Sequence, residues 1–82
     1  MKEIMIYGAI NSDLEIVWGI YKRNSDLNWS KFYTVSNYRK SGLVGAIQYV
    51  LEYCKDCIVL FGGYWYNHEQ LTEKLYEILD NM

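Results

Sequence analysis

The chain contains no proline, one histidine and two cysteines among its 82 residues. Each scarcity removes a class of explanation. Two cysteines three positions apart, Cys54 and Cys57, do not make a small secreted disulfide scaffold. They also lack the second pair that a structural zinc site needs, so no metal and no cofactor is expected. The opening Met1-Lys2-Glu3-Ile4 has no basic region leading into an apolar stretch with a small-residue cleavage site. No apolar run approaches the ~20 residues that span a bilayer. The expected compartment is cytoplasmic, without a membrane partner. No repeat, low-complexity stretch or linker divides the sequence, and residues 1–82 are read as one domain.

What is present is apolar and aromatic. Hydrophobic residues make up 51% of the chain, with three Trp, nine Tyr and two Phe. A chain this short buries only somewhat over ~60% of its unfolded surface. Large flat side chains let it build a core without metal or disulfide staples. The net charge of −2 hides an asymmetry. Residues 1–41 carry six basic and four acidic side chains, a balance of +2; residues 42–82 carry two and six, a balance of −4. That is too mild for a dedicated nucleic-acid domain, which would be clearly basic.

Lys2 to Ile10 reads as a strand apolar on both faces, with Ile4, Ile6 and Ile10 on one and Met5, Tyr7 and Ala9 on the other. Asn11-Ser12-Asp13 is turn chemistry. From Leu14 to Lys22, period-2 alternation puts Leu14, Ile16, Trp18 and Ile20 on one face. A helix along Leu14, Val17 and Tyr21, capped by Asn11 or Ser12, is the alternative. β-branched and aromatic residues around Gly19 favour the strand. Asn24-Ser25-Asp26 repeats the turn, and Trp29 to Tyr38 reads as an edge strand guarded by Lys31.

Ser41 is expected to cap a helix reaching Lys55, with Leu43, Ile47, Val50, Leu51 and Cys54 inward. Cys57 to Phe61 is wholly apolar, as in a strand covered on both sides, and Gly62-Gly63 ends it. Asn67 with Gln70 forms a capping pair for a last helix over His68–Asp80. Its inner stripe is Leu71, Leu75, Ile78, Leu79 and Met82. The order β-β-β-α-β-α predicts an α/β fold of the two-layer α+β kind. Its sheet would be mixed and four-stranded, in the order 3-2-1-4, with both helices on one face.

This order resembles the opening two-thirds of the ribonuclease-H-like fold. The resemblance is topological and spans most of the chain. Nucleases of that fold hold two metal ions with carboxylates on the first strand, the helix after the meander and the end of the next strand. The matching stretches here, Ile6–Ile10, Leu43–Ile47 and Phe61–Gly63, contain no Asp or Glu. Two-metal chemistry needs such oxygen ligands, so a non-catalytic use of the fold is expected.

The remaining motifs are weighed in the same way. Cys54-Lys55-Asp56-Cys57 has redox spacing, but the first thiol falls at a helix C-terminus, where the dipole disfavours a thiolate. Two small buried hydrophobes at a turn is the expectation. His68 has no orienting carboxylate facing it and reads as an exposed first-turn residue. Gly62-Gly63 lacks the Lys and Ser/Thr of a phosphate loop, so a close-packed turn is expected. Tyr64, Trp65 and Tyr66 form a loop before the last helix, either as partner contacts with His68 or as a lid on the sheet. Trp29, Tyr33, Tyr38, Arg39 and Lys40 form a second aromatic and basic patch, expected as an edge-strand surface that pairs with a protein.

Two helices cover one face of such a sheet, yet its central strands are apolar on both. Met5, Tyr7, Val17 and Tyr21 would then line an uncovered face needing a companion. The sequence thus points to a small non-enzymatic protein-binding domain, of inhibitor, adaptor or mobile-element accessory type, that self-associates as a homodimer and binds through the aromatic residues of the loop before the last helix. The alternative is a single-stranded nucleic-acid-binding module on the aromatic and basic surface of the meander.

Overall fold

The computed structural model describes residues 2–81, without the side chains of residues 35–41. Three strands run up and down as a meander: β1 (Lys2–Ile10), β2 (Ile16–Arg23) and β3 (Trp29–Tyr38). Helix α1 (Arg39–Tyr53) crosses over to β4 (Cys57–Phe61). A two-residue turn leads to a short β5 (Tyr64–Tyr66), and α2 (His68–Asp80) closes the chain. The sheet order is β3-β2-β1-β4-β5, with β1 and β4 parallel and the other pairs antiparallel. The molecule is a small α+β domain with a mixed five-stranded sheet, where four strands were expected.

The fifth strand comes from the segment expected to be a loop. Gly62 and Gly63 take φ of 60° and 83°, the left-handed pair that a two-residue hairpin turn demands. Tyr64 then returns opposite Phe61, Trp65 opposite Leu60 and Tyr66 opposite Val59. The two other hairpins share the tetrapeptide Asn-Ser-Asp-Leu, and in both the leucine sits in the left-handed region (Leu14 φ 62°, Leu27 φ 67°). The Asn11 side chain accepts from the backbone of Asp13 and Glu15 at 2.9 and 3.0 Å, closing the first turn. Leu14 is therefore an exposed turn residue and not the start of β2, which begins at Ile16.

Alternation sorts the sheet into two faces. On one, Ile4, Ile6, Ile20, Cys57 and Val59 meet Ala46, Ile47 and Val50 of α1 and Leu71 and Leu75 of α2 in one buried cluster. Both helices therefore lie on this side. Gly8 belongs here because Trp18 lies across it; a Cβ at Gly8 would sit 3.0 Å from the indole and 2.9 Å from Ile16. Trp18 in turn meets Phe61 edge-on, centroids 6.1 Å apart.

The helices differ from expectation in detail. α1 starts at Arg39, before the expected cap Ser41, and ends at Tyr53; Leu43, Leu51 and Cys54 are only half-buried while Ala46 joins the core. α2 has the expected bounds and a reciprocal cap: Gln70 N–H donates to Asn67 Oδ1 at 2.8 Å, and Asn67 N–H to Gln70 Oε1 at 3.0 Å. Leu71 and Leu75 anchor its inner face, but Leu79, expected among them, is 41% exposed. Met82 lies outside the described residues.

Candidate interaction surface

The sheet's second face carries the alternate residues and no helix. Register assigns it Glu3, Met5, Tyr7 and Ala9 of β1, and Val17, Gly19, Tyr21 and Arg23 of β2. It also takes Ile58 and Leu60 of β4 and Trp65 of β5. The four residues expected at an uncovered face, Met5, Tyr7, Val17 and Tyr21, are all on it. Tyr7 is 52% and Trp65 42% exposed, while Met5, Val17, Tyr21, Ile58 and Leu60 are half-buried by their neighbours alone. Tyr7 and Tyr21 meet edge-to-face, centroids 6.2 Å apart, on adjacent strands. Gly19 leaves a low point that Tyr21 and the Lys31 stem overlie, within 3.1 Å of where a Cβ would stand.

Besides Lys31, which leans in from the edge strand, the charged pair of this face lies at one end. Arg23 Nη1 lies 3.1 Å from Glu3 Oε2, and its guanidinium stacks 4.9 Å from the Trp29 ring centroid. Glu3 Oε2 is shielded from solvent and holds this charge contact without an aligned hydrogen bond. Between this rim and Trp65 the face is aliphatic and aromatic. The arrangement has the apolar centre and polar margin of a contact surface.

The three adjacent aromatics do not act together. In a strand they alternate: Trp65 joins the open face, whereas Tyr66 packs toward the core, 6.3 Å from Phe61. Tyr64 shares the side of Tyr66 and is 71% exposed at the strand's edge. The second patch is likewise split. Tyr33 pairs with Ile20 but Lys31 pairs with Tyr21, so the strand carries an irregularity at Phe32. In a regular strand Trp29 and Tyr33, four apart, would share a face. Here Trp29 stands over Arg23 on the open face, while Tyr33 stacks on Tyr49 of α1 at 4.0 Å, and Tyr49 meets Tyr53 at 4.8 Å. The side chains of Tyr38, Arg39 and Lys40 lie outside the described residues.

His68 is exposed at the first turn of α2, its Nε2 3.1 Å from the Leu51 carbonyl. With the Nε2–H tautomer this ties the start of α2 to the last turn of α1, a structural contact away from the open face. The open face also holds residues the sequence reading did not single out as contacts. Ile58 and Leu60 belong to a run read as covered on both sides; their place follows only from the β1–β4 register.

The two cysteines lie away from the open face. Burial pushes the Cys54 thiol up, and the adjacent Cys57 adds to it. Burial raises Cys57 as well, against the opposing hydrogen bond from Cys54 and the charge of Lys2. Both thiols line an open depression of about 780 Å³ at the end of the sheet where β1 and β4 begin. Protonated thiols at neutral pH are poor nucleophiles and poor metal ligands. Among the described residues no three His, Cys, Asp or Glu side chains cluster to hold a metal, and no helix is long and apolar enough to cross a membrane. No protein-family model, curated protein sequence or solved structure matches the chain.

Proposed function

We propose that the chain is a non-enzymatic protein-binding domain whose contact surface is the open face of its sheet. The observation that carries this reading is the charge-free centre of that face, from Val17 and Tyr21 through Met5 and Tyr7 to Leu60 and Trp65, with both helices on the other side. Contiguous apolar surface of this kind marks interaction sites in soluble proteins. Tyr and Trp are the residues that most often dominate contact energies. Inhibitors, adaptors and accessory proteins of mobile elements act through such surfaces, and a cytoplasmic setting accords with the two reduced cysteines. The ribonuclease-H-like element order enters this proposal as topology only, because its metal-ligand stretches carry no carboxylate.

The test is photo-crosslinking in the cells that make the protein, with benzoylphenylalanine at Tyr7 or, as a control, at Tyr76 on the outside of α2. Protein adducts from position 7 and not from position 76 are expected. Equal adducts from both, or none from position 7, would overturn the reading.

A second reading has one specific support. Arg23 over Trp29, and the Lys31 stem beside Tyr21, set cations among ring faces on the same surface. Single-stranded nucleic acids bind such platforms. Fluorescence anisotropy with mixed oligonucleotides at low salt distinguishes it, since that binding falls steeply as salt rises.

A further inference from the structure

We propose that the open face is the interface of a symmetric dimer of this chain, its two-fold axis running along β1 between two facing sheets. The inference rests on the protein-binding reading above and names its partner as a second copy. What carries it is a single row of registered side chains. Lys31 pairs with Tyr21, Tyr21 with Met5, Met5 with Leu60 and Leu60 with Trp65. The row thus reads Lys31, Tyr21, Met5, Leu60, Trp65 from one edge of the sheet to the other, with Met5 at its middle.

A two-fold axis parallel to β1 and passing over Met5 reverses this row on the facing copy. Lys31 then meets Trp65 of the partner subunit, Tyr21 meets Leu60 of the partner subunit, and Met5 meets Met5 of the partner subunit. An ammonium on an indole face, a ring on an aliphatic side chain and a thioether on a thioether are each favourable. A second axis between facing sheets runs across the strands. It would set Lys31 against Lys31 of the partner subunit, a like-charge contact that costs energy as water leaves. The row is self-complementary under the strand-parallel axis, which also sets Glu3 of β1 opposite Glu3 of the partner subunit, each carboxylate held by its own Arg23 at 3.1 Å.

Charge and area agree with that orientation. The strand-parallel axis lays β2 and β3, from the half of balance +2, over the partner's β4 and β5, from the half of balance −4. The Trp65 edge is bordered by Glu73, Lys74 and Glu77 of α2; Lys74 bonds Glu77 at 3.2 Å, so Glu73 is the acid on which Lys31 of the partner subunit would converge. The Glu3–Arg23 pair leaves its part of the rim neutral. Strands of nine, eight, ten, five and three residues, ~4.8 Å apart at ~3.3 Å per residue, make a sheet of roughly 550 Å². Covering it buries about 550 Å² on each copy, about 1,100 Å² in all, just above the ~1,000 Å² that a specific interface clears.

Sedimentation equilibrium of the full chain at micromolar concentration tests this. The expected mass is twice the 9.8 kDa of one chain. Met5→Arg places two guanidinium groups at the axis and should weaken the dimer at least ~100-fold, leaving the circular dichroism native because Met5 lies on the face opposite the helices. Should that variant fail to fold, Met5→Cys replaces it. With diamide as oxidant, the two copies of position 5 should couple through a disulfide, whereas Tyr76→Cys should not.

A one-chain mass for the unaltered protein overturns the proposal. So does a two-chain mass that Met5→Arg leaves intact, or a Met5→Cys protein that does not cross-link. A one-chain mass together with Tyr7 adducts to another protein refutes the dimer and spares the protein-binding reading. A one-chain mass with salt-sensitive oligonucleotide binding and no adducts refutes both.

Discussion

Trp65 and Tyr64 are adjacent residues on opposite sides of one strand, and truncating each in turn asks which side makes the contact. Trp65 is 42% exposed in the isolated chain. An indole offers up to ~250 Å², so about 100 Å² remains to be covered by a partner. At ~25 cal/mol per Å², removing it should cost association with a different protein about 2.5 kcal/mol, close to a 70-fold loss of affinity, and a symmetric dimer about 5 kcal/mol, because both copies lose the indole. Tyr64, 71% exposed, points away from the open face, and Tyr64→Ala should change affinity by less than about 0.5 kcal/mol. Dissociation constants come from sedimentation equilibrium for self-association, or from titration calorimetry against any protein recovered by crosslinking at Tyr7. Urea unfolding of both variants checks that β5 remains formed. Equal losses from the two substitutions, or no loss from Trp65→Ala in a folded protein, would refute the assignment of the face.

Other expectations follow from the same geometry. Leu71→Ala removes a fully buried anchor of α2 and should lower stability by about 2–5 kcal/mol in urea unfolding, whereas Leu79→Ala, at a position 41% exposed, should cost under about 1.5 kcal/mol. Leu14 holds a left-handed backbone at an exposed turn, so Leu14→Asn, whose side chain tolerates that region, should raise stability by about 0.5–1 kcal/mol, seen as a higher midpoint at unchanged slope. Burial raises the folded-state pKa of both thiols, so their contribution is complete below the ordinary thiol range, about 8.5, and is lost as pH climbs through the folded values. Unfolding free energies at pH 7 and pH 10 should therefore differ in favour of pH 7, and Cys54→Ser with Cys57→Ser should shrink the difference.

The parts of the fold legible in the sequence are those decided locally. Asn67 and Gln70 satisfy each other's backbone donors across one turn, so α2 begins where the pair predicts. Ile4, Ile6 and Ile20 alternate with their neighbours and go inward. What was not legible depends on partners far along the chain. Tyr64–Tyr66 is too short to show alternation, and only pairing with β4 makes it a strand that sends Trp65 and Tyr66 opposite ways. The irregularity at Phe32 reverses the side of Tyr33 relative to Trp29, and no residue type in β3 announces it. Leu79 follows the helical spacing of an inner residue, yet it is 41% exposed while its neighbour Ile78 packs against the core. The candidate surface was legible for the same reason as the core: Met5 and Tyr7 alternate with Ile4 and Ile6, and only two helices were on offer to cover both sides.

Hydroxyl-radical footprinting of the protein at its working concentration, read residue by residue, bears most directly on the covered face. Met5, Tyr7 and Trp65 should be labelled far less than their exposure in a single copy implies, while Tyr64 and Tyr76 react freely. Labelling of Tyr7 and Trp65 as strong as that of Tyr76 would mean the face stays bare, and would contradict self-association through it.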